Sequence, residues 1–178
     1  MAKIVSMRNR MRVCNALMSL SISFCALAQD TKAAPCSAPE HHQFDFWIGD
    51  WEVKGPAGKV AGQNTITSTH NGCVVLESWK GAGGVTGSSF NVYDPERRKW
   101  RQTWVDSTGG ILDLEGEFAD GKMVLASAPG ASTKRGADAI NRITWQPLPD
   151  GRVRQHWEVS PDRGATWKSA FDGYYTKR

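Results

Sequence analysis

The 178-residue sequence lacks most of the patterns that announce a chemistry. It has no G-x-S-x-G, which removes the usual setting of a serine nucleophile. It has no H-E-x-x-H, which removes the helix-borne zinc pair. The glycine-rich stretch 81–87 fails G-x-G-x-x-G, because Ala82 stands where the first glycine is needed. A strand pattern follows it rather than a helix, so it reads as a flexible hairpin. Cysteine is scarce, with four residues and no C-x-x-C, which argues against a structural zinc site. Long hydrophobic runs are also missing. The longest uncharged apolar stretch, Cys14 to Leu27, falls short of the roughly 20 residues that a membrane-spanning helix needs. No segment has the 3.6-residue periodicity of an amphipathic helix.

The formal charge is +4, from 22 Lys and Arg against 18 Asp and Glu. A basic chain suggests nucleic acid or anionic membrane as partner. The distribution removes that suggestion. Lys3, Arg8, Arg10 and Arg12 precede the apolar run, which ends in Ala26-Leu27-Ala28, a small-x-small signature. Residues 1–28 therefore read as a signal peptide cleaved after Ala28, and the protein as exported, either periplasmic or secreted. Phe24 before Cys25 does not suit a lipoprotein box, where a small residue is needed. The leader holds four basic residues and no acidic one, so 18 of each sign remain. The expected mature chain is neutral, with no nucleic-acid partner and no stable membrane insertion after cleavage.

Two cysteines, Cys36 and Cys73, follow the leader. An even pair in an oxidising compartment reads as a disulfide, with a metal site as the weaker alternative. Such a bond would staple the tail, residues 29–43, to the domain, residues 44–178. The chain-entropy model gives it about 4 kcal/mol.

All 18 Gly and 8 Pro also follow the leader, and they break the chain into short alternating runs. That pattern predicts an all-β fold. The runs are residues 51–54, 61–69, 74–80, 86–93, 100–105, 110–118, 122–127, 140–146, 152–159 and 166–176. Asp94-Pro95-Glu96-Arg97, Asp120-Gly121 and Asp150-Gly151 supply turn chemistry between them. Short hairpin loops imply an up-and-down meander. Ten antiparallel strands in one small domain leave no exposed edge only if they close. The expected fold is therefore a barrel of about ten antiparallel strands, preceded by one helical turn at Phe44-Asp45-Phe46-Trp47-Ile48-Gly49. Residues 128–139, rich in Ala, Ser and Gly, form the longest predicted loop.

Gly49-Asp50-Trp51 at the start of the first strand resembles the opening motif of calycin-type barrels: lipocalins, fatty-acid-binding proteins and the nitrobindin-like group. That resemblance implies a Trp plugging the closed end. A wider set of motifs resembles an exported bacterial family of unknown function, the DUF1579-like proteins. The set comprises the segment Phe44 to Trp51, Asn71-Gly72-Cys73, Tyr93-Asp94-Pro95, Trp100 to Asp106, Pro147-Leu148-Pro149-Asp150-Gly151 and Phe171-Asp172-Gly173-Tyr174-Tyr175. It covers nearly all of the chain after the leader, implies a calycin-like barrel and brings no established activity.

Three tripeptides share one form: Glu77-Ser78-Trp79, Gln102-Thr103-Trp104 and Gln155-His156-Trp157. Positions i and i+2 of a strand share a face, so each sets an indole beside a polar group. The predicted inner face of the fifth strand continues through Trp100, Gln102, Trp104 and Asp106. Flat apolar walls with a few orienting polar groups are how small-molecule pockets are built, although the same Trp could simply fill a core. The candidate ligand site is Trp79, Gln102, Trp104, Asp106, Gln155 and Trp157, for a small apolar or aromatic molecule. No cofactor, metal or catalytic residue is assigned, and nothing in the sequence sets the oligomeric state.

Two alternatives use the same interior. Glu77 and Asp106 are the only acids placed inside, and could act as an acid–base pair. Asp113, Glu115 and Glu117 alternate with Leu112, Leu114 and Phe118 and read as a solvated face. His156 would be the ligand of a nitrobindin-like haem site, but the register that turns Gln155 and Trp157 inward turns His156 outward. Ser160-Pro161-Asp162-Arg163-Gly164-Ala165-Thr166-Trp167 matches the Asp-box S-x-D-x-G-x-T-W and reads as a structural turn.

Overall fold

Period-two alternation is realised as ten strands in a computed structural model that describes residues 33–131 and 139–178. The expected leader and its cleavage point, and part of the predicted loop 128–139, lie outside those residues. The strands are β1 (Gly49–Lys54), β2 (Val60–Thr69), β3 (Val74–Gly81), β4 (Thr86–Asp94), β5 (Lys99–Asp106), β6 (Ile111–Ala119), β7 (Lys122–Ala126), β8 (Ile140–Pro147), β9 (Val153–Ser160) and β10 (Lys168–Lys177). Each pairs antiparallel with its neighbours in sequence, and β1 also pairs with β10, placing Trp51 opposite Lys177. The result is a closed up-and-down barrel without a free edge.

Strand ends differ from the sequence pattern by one or two residues, and at the last strand side chains take over backbone groups. The sequence pattern starts the last strand at Thr166, but the strand begins at Lys168. The Asp162 carboxylate accepts from the Thr166 N–H at 2.7 Å and from the Thr166 hydroxyl at 2.6 Å. The Trp167 indole N–H donates to the Gly164 carbonyl at 3.1 Å, and Gly164 has φ +96°. The Asp-box is thus a turn that closes β9 onto β10. At Asp120-Gly121 both residues have positive φ, 51° and 73°, the geometry of a tight hairpin. The single expected helical turn becomes two 3-10 turns, Pro39–His42 and Asp45–Trp47, and the first of these leaves no trace in the hydropathy pattern. Cys36 and Cys73 form a disulfide, which ties the segment before these turns to the start of β3.

One end of the barrel is filled by those turns. Phe44 stacks on Trp47 with centroids 4.9 Å apart and meets the edges of Trp100 and Trp145 at 5.6 and 5.2 Å. The Trp51 indole N–H donates to the Trp47 carbonyl at 2.9 Å. These five rings are fully buried together with Val53, Ile66, Val75, Met123, Leu125 and Val153. Offset and edge-on packing of this kind adds about 1 kcal/mol per aromatic pair to the area term.

Candidate functional site

Inward side chains change character along each strand, about 7 Å for every second residue. On β3 the order is Val75, Glu77, Trp79; on β5, Trp100, Gln102, Trp104; on β9, Val153, Gln155, Trp157. The first of each triplet belongs to the plug. The second forms a polar layer, and the third a half-buried aromatic rim. Tyr175 on β10 joins plug to layer, since its ring lies 6.3 Å from Trp47 and its hydroxyl bonds the polar side chains.

The polar layer is a connected network. Asn64 donates to Glu77 Oε1 at 2.7 Å and to the Tyr175 hydroxyl at 3.3 Å. Ser89 Oγ donates to Glu77 Oε2 at 2.6 Å. The Gln102 amide donates to Asn91 Oδ1 at 2.7 Å, and Asn91 donates to the Val75 carbonyl at 2.9 Å and to Ser89 Oγ at 3.0 Å. The Tyr175 hydroxyl donates to Gln155 Oε1. Burial pushes the Glu77 carboxyl above its ordinary value of 4.5, and the bonds from Ser89 and Asn64 oppose that only in part. Burial, then the nearby Glu77 charge, holds the Tyr175 phenol well above 10.

Above this layer lies a cavity of about 210 Å³. Its floor is Glu77, Gln102, Gln155 and Tyr175; its walls are Trp79, Trp104, Trp157, Leu112, Ile143, Phe171 and Ala170. Ala170 is exposed and the four rings are half-buried, so the cavity opens at the end away from the plug. The Trp157 indole N–H is fixed by Asn141 Oδ1 at 3.0 Å, and Phe171 meets Trp79 edge-on at 6.2 Å.

The space exists because two indoles lie flat against the wall. A Cβ at Gly62 would stand 2.7 Å from the Trp79 ring, and one at Gly87 would collide with the Trp104 ring. Each ring occupies the place of the side chain that its neighbouring strand lacks. An aromatic held over a glycine turns its face, not its length, toward the lumen.

Five of the six sequence-predicted site residues line this cavity: Trp79, Gln102, Trp104, Gln155 and Trp157. Asp106 does not. Its Oδ1 accepts from the Thr108 hydroxyl at 2.5 Å and from the N–H groups of Thr108 and Gly110 at 2.8 and 3.1 Å. Oδ2 accepts from the Trp104 indole at 3.3 Å. The Thr108 hydroxyl foremost, with these other donors, lowers its pKa to about 2. Asp106 is the keystone of the β5–β6 turn and a brace for Trp104. Glu77 and Asp106 therefore do not meet around one cavity, and the acid–base pair is not assembled. His156 lies on the outer face, 3.1 Å from Ser169 Oγ, as the register of Gln155 and Trp157 requires. Asp113, Glu115 and Glu117 are exposed.

Sequence reasoning missed Phe171 and Tyr175, although both lie on one face of β10 by the same i, i+2 rule. It also missed Asn64, Ser89 and Asn91, whose hydropathy gives no hint of burial.

The closed ten-stranded antiparallel barrel is consistent with a calycin-like fold. No helix among the described residues is long and apolar enough to cross a membrane. No protein-family model matches the chain, and no curated protein is similar to it in sequence.

Proposed function

We propose that this protein is an exported, non-enzymatic barrel that takes one small apolar or aromatic molecule into its open half. One observation carries the reading: a cavity of about 210 Å³ walled by three indoles and Phe171 over a polar floor. An engineered apolar cavity of about 150 Å³ holds benzene, so this space suits one or two fused rings. Trp79, Trp104, Trp157 and Phe171 stack on the guest, and Gln102 and Gln155 orient it. Asp106 contributes through its hold on Trp104. The Cys36–Cys73 disulfide supports export, because such bonds persist in oxidising compartments.

A screen of small aromatics by intrinsic Trp fluorescence tests the reading. Binders quench or shift the emission, and Trp104→Ala weakens them about tenfold or more while the protein stays folded. A screen that returns no binder, or a Trp104→Ala variant that binds like wild type, overturns it.

A further inference from the structure

Glu77 is the one ionisable acid in the cavity lining, it is 5% exposed, and no ion pair reaches it among the described residues. A carboxylate offers about four acceptor positions. Asn64 and Ser89 fill two of them, one on each oxygen. Half of its capacity remains, in a place where water is largely excluded. Among the described residues, the rest of the lining holds no Lys, Arg or His. It presents indole and phenyl rings, whose faces are electron-rich and attract cations. The hydroxyl of Tyr175, the other titratable group there, is turned to Gln155. Among the described residues, the carboxyl and the ring faces of the lining thus favour the same sign of guest charge. A neutral hydrocarbon would leave Glu77 with its spare acceptor positions unused, whereas an ammonium group would fill them from between the rings.

We infer that the guest is a small organic cation, a primary amine or amidine on a flat apolar body, with its charged nitrogen on Glu77 and its body between Trp79, Trp104 and Trp157. This rests on the cavity-binding reading and names the ligand class for the same site. Glu77 becomes the counter-ion, and the polar layer around it serves to aim its carboxylate. In the unliganded protein burial favours the protonated carboxyl. An ammonium ion beside it favours the ionised form instead. The groups that pack against Glu77 are Asn64 from β2, Ser89 from β4 and Tyr175 from β10. Of these only Tyr175 titrates, and its raised pKa keeps it neutral throughout the range used below.

The test compares benzylamine with benzyl alcohol, which matches it in size and shape and carries no charge, by calorimetric titration of the disulfide-bonded protein. Wild type is expected to bind benzylamine about tenfold tighter or more. Glu77→Gln is expected to abolish that preference, bringing the affinities of the two probes within about twofold of each other. If Glu77→Gln does not fold, the wild-type pH series decides. Benzylamine affinity should fall as pH is lowered and Glu77 takes up its proton, while benzyl alcohol affinity stays level. Equal binding of the two probes, with no pH dependence, overturns the cation proposal and leaves the cavity reading standing. If neither probe binds, both fall.

Discussion

Two halves of one barrel are built from the same residue types and end in opposite states. In the closed half, Phe44, Trp47, Trp51, Trp100 and Trp145 point into the lumen and fill it. In the open half, Trp79, Trp104 and Trp157 stand round a space. Indole content is therefore not what decides between core and pocket. The neighbours are. The plug brings its own filler, the two 3-10 turns before β1, which insert Phe44 and Trp47 between the strands. Among the described residues no such segment enters the open half, and glycines at 62 and 87 let two of its rings lie back against the wall. A polar layer separates the halves, and its hydrogen bonds stop the plug from extending.

The sharpest way to break this contrast is to delete a ring from each half. Trp47→Ala leaves a large void among packed rings and should cost about 3–5 kcal/mol in denaturant unfolding. Trp104→Ala removes a half-buried ring that borders open space and should cost only about 1–2 kcal/mol, yet it should weaken ligand binding far more. Equal stability losses would mean that the open half is packed like the plug.

The disulfide belongs to the plug end, because Cys73 precedes β3 and Cys36 precedes the inserted turns. Replacing both with Ser should lower stability by up to about 4 kcal/mol and leave cavity binding unchanged below the new melting point. A loss of binding at full folding would show that the staple also shapes the open half.

Gly87→Ala sharpens the comparison from the other side. The added methyl meets the Trp104 ring and the Val105 carbonyl, so overpacking should cost about 1–3 kcal/mol. The displaced indole should then enter the lumen, and a crystal structure of the variant would show the cavity reduced.

The smallest effect is electrostatic. The folded-state pKa of Glu77 is raised above its ordinary 4.5, so the folded protein retains a proton that the unfolded chain has lost. Stability is therefore full below that ordinary value and declines as pH rises through the shifted pKa. Subtracting the unfolding curve of Glu77→Gln from that of wild type across pH should isolate this slope. Asp106 contributes in the opposite sense, with stability lost as pH falls toward about 2.

Much of this was legible in the sequence. Period-two runs and turn residues placed all ten strands, because both signals are local. The i, i+2 rule placed five cavity-lining residues from single strands. Asp106 failed the same rule because it ends its strand. Its carboxylate is claimed by Thr108 and Gly110, a turn preference that alternation alone does not express. The division into solid and hollow halves was not legible at all. It depends on which residue lies across the barrel and on which glycine sits beneath which ring. Those are matters of cross-strand register, and no run of neighbours in the chain records them.

The indole N–H resonances of the eight tryptophans report both halves at once in a nitrogen–proton correlation spectrum. Titration with benzylamine should shift the signals of Trp79, Trp104 and Trp157 and leave those of Trp47, Trp51, Trp100 and Trp145 in place. Shifts spread evenly over both groups, or none in the open half at saturating probe, would contradict a barrel that is solid at one end and receptive at the other.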